Sequence, residues 1–239
     1  MILLVDCPAG ASGDMLLAGM LDLGLPAAEV RHSLRALGLG GAELRAERVR
    51  VGGVRARRAK VRCRGRAGLP REAGELIRRI RESALAPALR ARVTRVFSRL
   101  ASAEAAAHRV PAARVRFHQL AGADTLAAVA GFCAGLERFK VRAVHVGPVP
   151  VGAWHLGHQG KGIPRPGPAT LHLLKGFPLR RREGRFEWTT PTAAALLASF
   201  GSPAPPPLFR VERIGHAAGH RAAPGGPLPL TLLLGYPLG

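Results

Sequence analysis

The chain has 239 residues, of which 47% are hydrophobic and only 5% aromatic, and three well-separated cysteines, Cys7, Cys63 and Cys133, with no CxxC spacing. These figures exclude a disordered polymer, a disulfide scaffold and a zinc finger, and they fit a soluble protein of a reducing cytoplasm with a core of Leu, Val and Ala. A formal net charge of +21 points to an anionic partner, although an Arg-, Ala-, Gly- and Pro-rich composition is also what a GC-rich genome produces.

The opening MILLVD is too short for a signal peptide and has no basic segment before it. No apolar run reaches the roughly 18 residues of a membrane span. ILLVDC has the composition of a buried strand, and SGDMLLAGMLDLG that of a helix capped by Ser12, with Asp14 in its first turn and Gly24 and Pro26 at its end. Between them, DCPAGASGDM joins a strand's carboxyl end to a helix start through small residues, the usual place for a ligand in an α/β fold. Gly10, Ser12 and Gly13 leave room for an anion at the helix amino end, and Asp6 and Asp14 are hard oxygen donors for Mg²⁺ or Mn²⁺. A plain strand–helix turn has the same composition.

Residues 44–66 alternate apolar and basic side chains about Gly52-Gly53, which predicts a hairpin excursion with one arginine-studded solvent face. Two helices are expected within 71–107, separated at Pro87, the second burying Leu89, Val93, Val96, Phe97 and Leu100. AGADTLAAVAGFCAGLERF predicts a further helix and RAVHVG a strand. His118 and Asp124 bracket the turn FHQLAGAD, where a histidine can ligate a metal or shuttle a proton. Residues 147–168 are rich in proline and glycine and have the character of an active-site loop, with His155, His158, Lys161 and Arg165. Lys161 and Arg165 suit a phosphate.

PATLHLLKG and TTPTAAALLASFG are short helices; Thr190 and Thr192 at the start of the second would form an anion cradle or simply cap it. LFRVERIG and LPLTLLLG close the chain as strands, with His216, His220 and Arg221 expected in the turn between them. Together these elements give one α/β domain, a mixed sheet flanked by helices with a basic β-hairpin excursion. Without a helix-turn-helix or zinc motif, and with few aromatic residues for stacking, a phosphorylated small ligand suits the glycine loops better than nucleic acid does.

LVDCPAGASGDMLLAGMLDLG, AEAAAHRVPAARVRFHQLAGAD, GPVPVGAWHLGHQGKGIPRPGPATLHLLKG, EWTTPTAAALL and RIGHAAG occur in the order found in the nickel-insertion (LarC) family of nickel-pincer cofactor synthesis, which the chain resembles over most of its length. The resemblance implies a cyclometallase of the lyase class. It places nickel, its metal substrate, into a pyridinium bisthiocarboxylate mononucleotide to make the lactate racemase cofactor, using CTP and a divalent metal, Mg or Mn. Asp6, Asp14, His118 and Asp124 would then form the catalytic shell, with Asp14, His118 and Asp124 on the metal. Gly10, Ser12, Gly13, Lys161, Thr190 and Thr192 would hold the anionic mononucleotide or nucleotide.

The chain departs from the family pattern at several places. Gln119 and Ala128 stand where the pattern has carboxylates, Gly160 and Lys161 stand in place of a His-Gly pair, and Ala193 and Ala217 replace glycines. The family's C-terminal domain is absent, so a separately encoded partner is expected, and a homo-oligomer is left open. Two other classes compete: a non-catalytic binding or scaffold subunit of the same family, and a basic nucleic-acid-binding module.

Overall fold

The computed structural model describes residues 1–63, 69–117, 120–152, 166–183, 186–220 and 228–238. Strand β1 (Ile2–Asp6) runs inside a seven-stranded mixed sheet, parallel to β4 (Ala143–Val146) and antiparallel to β9 (Leu230–Pro237). The full order is β2-β3-β8-β9-β1-β4-β7, where β2 is Ala42–Val51, β3 Val54–Cys63, β7 Gly201–Ser202 and β8 Phe209–Ala217. An α/β fold with a helix-flanked mixed sheet is therefore present.

One sheet face takes the helices. By register Leu3, Val5, Val144, Leu232, Leu234 and Gly215 share that face. Helix α1 (Gly13–Asp22) lies on it, and a Cβ placed on Gly215 would come within 2.6 Å of the Gly19 carbonyl oxygen and 2.9 Å of Leu23 Cγ. The far side of α1 meets α5 (Ala123–Arg138), where Gly131 abuts Leu17 and Gly135 abuts Met20. Both helices are buried nearly all round and correspondingly apolar, with small residues where backbones approach. Helix α2 (Ala27–Ala36) packs beside α5 and carries only Val30, Ser33 and Leu34 into the core.

Helix α7 (Pro191–Phe200) lies against β4 and β7 beside α1, and outside it α4 (Pro87–His108) packs with α3 (Ala73–Arg81) and α6 (Pro168–Leu173). Pro87 occupies the first turn of α4, and the expected face Leu89, Val93, Val96, Phe97 and Leu100 is buried. Arg109, in the left-handed region at φ 53°, ends that helix.

The hairpin differs from expectation in two ways. It is an edge of the main sheet, joined through the parallel pair Arg57–Ala217 and the 3.4 Å Arg57–Asp22 ion pair to α1. Its basic residues also occupy both faces: Arg48, Arg50, Arg55 and Arg57 share one, Arg45, Arg58, Lys60 and Arg62 the other. Gly52 and Gly53, at φ 55° and 80°, supply the left-handed turn that a two-residue hairpin loop demands.

Of the 147–168 region, residues 153–165 lie outside the described residues, and the part before them contains a strand. β5 (Val149–Gly152) pairs in parallel with β6 (Leu179–Arg182) as a separate two-stranded ribbon. Among the described residues no helix is long and apolar enough to cross a membrane.

Gly215→Ala should force α1 away from the sheet, because a backbone oxygen rather than a mobile side chain stands in the way. The expected loss is about 1–3 kcal/mol, read as a lower urea midpoint with an unchanged slope.

Candidate functional site

The segment Cys7–Ser12 leaves β1 and is joined by backbone hydrogen bonds to a strand-like stretch 178 positions later in the chain. Ala11 N–H donates to the Trp188 carbonyl at 2.8 Å, and Thr190 N–H donates to the Ala11 carbonyl at 3.0 Å. Gly10 permits this approach: its φ is 103°, and a Cβ there would stand 2.1 Å from the Trp188 oxygen. The consequence is that the starts of α1 and α7 lie side by side. Added as a Cβ, the Gly13 side chain would fall 2.8 Å from Thr192 Cγ2 and 3.0 Å from the Ala128 methyl, so α5 closes the same corner.

Two adjacent helix amino ends bring their positive dipole ends to one region, an arrangement that favours an anion, although at α7 Pro191 has no N–H to offer. Thr190 caps α7, its hydroxyl accepting from Ala193 N–H at 3.3 Å. Thr192 is buried with its methyl against Gly13. Ser12 does not cap α1 as expected; its hydroxyl donates to the Asp14 carboxylate in a short contact. A short local acceptor thus outcompetes the helix N–H groups and fixes Asp14.

His220 approaches Asp14 from another element, with Nε2 3.8 Å from Asp14 Oδ2 and 3.0 Å from the Ala59 carbonyl. A carbonyl only accepts, so Nε2 carries the proton. His216 lies inside β8 rather than in a turn: its backbone N–H donates to Asp22 and its Nδ1 pairs with Thr231 Oγ1 at 3.0 Å. The two histidines therefore serve different neighbours.

Asp6 is exposed at the end of β1, across from Thr231 on the sheet face opposite the helices. Its nearest effect is on Cys7, whose thiol is pushed up to about 12, first by burial and then by Asp6, with Arg180 opposing. Behind the loop, Trp188 is buried under Arg182, whose guanidinium carbon stands 4.8 Å from the indole centroid, and beside Phe186 at 5.2 Å. Trp188 Nε1 and Arg182 Nε are buried donors without a hydrogen-bond partner among the described residues. Such donors suit an anion or its water rather than a cation.

Asp124 sits exposed in the first turn of α5. Phe117 is buried edge-on against Phe97 at 6.3 Å, but His118 and Gln119 lie outside the described residues, as do His155, His158, Lys161, Arg165 and Arg221. Among the described residues no three His, Cys, Asp or Glu side chains gather for a metal. The described part thus unites Gly10, Ser12, Gly13, Asp14, Thr190 and Thr192, and fits an anion.

The sequence profile described as nickel insertion protein matches residues 3–236. The chain belongs to the nickel insertion protein family. A protein of Geotalea daltonii named for nickel insertion is 36% identical over 238 residues, covering 98% of this chain and 60% of its own length. The pyridinium-3,5-bisthiocarboxylic acid mononucleotide nickel insertion protein of a Nocardioides species is 37% identical over 234 residues, covering 98% and 59%. A Synechococcus relative is 38% identical over 225 residues, covering 92% and 56%. The chain thus spans about 60% of the length of the curated relatives it matches. No solved structure matches it.

For this nickel insertion family member, reading the sequence alone missed Trp188 and Arg182 and the contact of His220 with Asp14. Trp188 acts here through its carbonyl and an orphan indole N–H, neither of which a motif displays. His220 was noticed only as part of a histidine-rich turn.

Gly10→Ala should cost at least about 2 kcal/mol, since both φ and the Trp188 carbonyl oppose it, and should lower the thermal midpoint accordingly. The Cys7 thiol has a second signature. The unfolded chain ionises it near its ordinary value of 9, whereas the fold keeps it protonated to about 12, so it contributes a loss of stability as pH rises through that window. Urea midpoints should fall from pH 9 upward, less so in Cys7→Ala, and at pH 8 a thiol reagent should label Cys7 only after unfolding.

Proposed function

We propose that this chain is the N-terminal portion of a cytoplasmic nickel insertion protein. The reaction would place nickel, as substrate, into a pyridinium bisthiocarboxylate mononucleotide, with CTP and Mg or Mn, to give the lactate racemase cofactor. One observation carries this reading: the family member joins two helix starts beside an anchored carboxylate, Asp14, at the end of a central strand. A mononucleotide supplies the phosphate for such a corner. Its sulfur donors are soft ligands for nickel, so the protein has no need of a cysteine cage, and its buried Cys7 and Cys133 are unsuited to one.

In this reading the positive ends of α1 and α7 hold phosphate, with Gly10, Ser12 and Gly13 keeping side chains clear and Thr190 and Thr192 shaping the second start. Lys161 would add a countercharge. Asp14, held by Ser12, is the anchor of a metal set with His118 and Asp124, and Asp6 completes the catalytic shell from the strand end. An assisting Mg or Mn would neutralise phosphate charge.

Ala128 favours a second reading. Its methyl contacts the position of Gly13, so a carboxylate at 128, as in the family pattern, would reach the corner itself. Without it, and with Gln119 in place of a second acid, the chain would serve as a binding or scaffold subunit of the insertion machinery.

The deciding assay is nickel insertion by purified chain, alone and with a family C-terminal portion added, followed by reactivation of cofactor-free lactate racemase. Insertion that needs both parts supports the first reading; none in either mixture, with the chain shown to be folded, supports the second. If the first holds, Asp14→Asn should retain the Ser12 contact and the fold yet lower insertion by at least about tenfold. Unchanged insertion would remove Asp14 from the site.

A further inference from the structure

We infer that the base of the hairpin is a second, separate phosphate-binding site, opening on the solvent side of the sheet edge and reaching Asp14 through His220. A cavity of about 240 Å³ lies there, lined by Arg45, Glu47, Arg58, Lys60, Arg62 and His220. The strand register explains the grouping. Arg62 faces Glu43, Arg45 faces Lys60, and Glu47 faces Arg58, so alternate residues of both strands place four cations and two carboxylates on one face, with Glu43 paired to Arg45 at 3.4 Å.

Charge alone does not single out this spot, because Arg50 faces Arg55 farther along the same ribbon. What distinguishes the base is a wall. Residues after β8 run along β3: Ala218 N–H donates to the Arg57 carbonyl at 2.9 Å, Arg58 Nε donates to the Gly219 carbonyl at 3.1 Å, and His220 Nε2 donates to the Ala59 carbonyl at 3.0 Å. This turns a flat ribbon into a concave one with a fixed guanidinium in it. Arg58 engages Glu47 at 3.3 Å, which occupies the cavity's one carboxylate. Lys60 and Arg62 are exposed and make no ion pair or hydrogen bond among the described residues. Two uncommitted cations around a held guanidinium suit the several oxygens of a phosphate.

The ligand is thus a phosphate group on a small molecule, either a mononucleotide's single phosphate or the chain of a nucleoside triphosphate. His220 stands at the cavity wall and 3.8 Å from Asp14, so the rest of such a ligand would extend toward the start of α1. This assignment is independent of nickel insertion: binding here can hold whether or not the chain inserts metal.

The test is calorimetric titration of the full chain with nicotinic acid mononucleotide, CTP and inorganic pyrophosphate, each at low and high salt. Lys60→Gln combined with Arg62→Gln should weaken the bound ligand by at least about tenfold, from the loss of two charged contacts. The control, Arg50→Gln with Arg55→Gln, removes equal charge from the other face and should change affinity by less than about twofold, the scale of screened long-range attraction. Circular dichroism and thermal midpoints establish that both variants fold. Tighter binding of the mononucleotide assigns a single phosphate, and tighter binding of CTP assigns the triphosphate; either outcome supports the site. Equal weakening in both variants, or no binding of any of the three by wild type at millimolar concentration, overturns it. So does tighter binding of a short single-stranded RNA that both variants weaken alike, which would make the ribbon a nucleic-acid surface.

Discussion

Two backbone hydrogen bonds, from Ala11 to Trp188 and from Thr190 to Ala11, hold the candidate site of this molecule together. They close a very long loop of chain, and closure entropy grows only slowly with length, so the distance in sequence is not itself a great obstacle. What the bonds require is close contact. Gly10 has no side chain to obstruct the Trp188 carbonyl, and Gly13 has none to obstruct Thr192 and Ala128. The two helix starts are adjacent because both glycines are small.

The same dependence on small residues runs through the core. With few aromatic residues, the chain fills its interior by bringing backbones together: Gly19 and Gly215 let α1 lie on the sheet, and Gly131 and Gly135 let α5 lie on α1. Helix α1 is thereby fixed between sheet and α5, and its first turn inherits that rigidity. Asp14 is positioned by a helix clamped on two sides, with Ser12 holding its carboxylate.

Elements with a strong internal signal were legible in the sequence. The apolar run of β1, the Pro87 start and apolar stripe of α4, the near-continuous apolar stretch of α5 and the Gly-Gly turn of the hairpin all lie where the pattern placed them. Helix α2 was not read, since only Val30, Ser33 and Leu34 are buried on it and one of these is polar. The ribbon of β5 and β6 was not read either: each strand has four residues, one includes Pro150 and the other three consecutive arginines. Within the site, the loop, its glycines and the threonine helix start were visible as local motifs. Their union with Trp188 and His220 was not, because a contact through a carbonyl or across a sheet edge leaves no mark in local spacing. The family resemblance named stretches in order, and the fold shows which of the described ones meet.

Charge and burial divide the molecule in a way that bears on its chemistry. The helix face of the sheet is apolar up to the strand end, where the positive ends of α1 and α7 meet beside one anchored carboxylate. The hairpin adds cations on both of its faces, and His220 links that basic edge to Asp14. An anion would therefore meet positive potential on its way in and two positive helix ends where it would stop. A metal finds less. Asp14 is fixed but stands without two further ligating side chains among the described residues, and position 128, which touches the corner directly, holds a methyl group. Under the proposed function, binding of an anionic substrate and ligation of a metal would therefore be separable in this fold. The first rests on backbone geometry, which substitutions such as Ala128 leave intact. The second would rest on side chains, and position 128, where the family pattern has a carboxylate, carries only a methyl group.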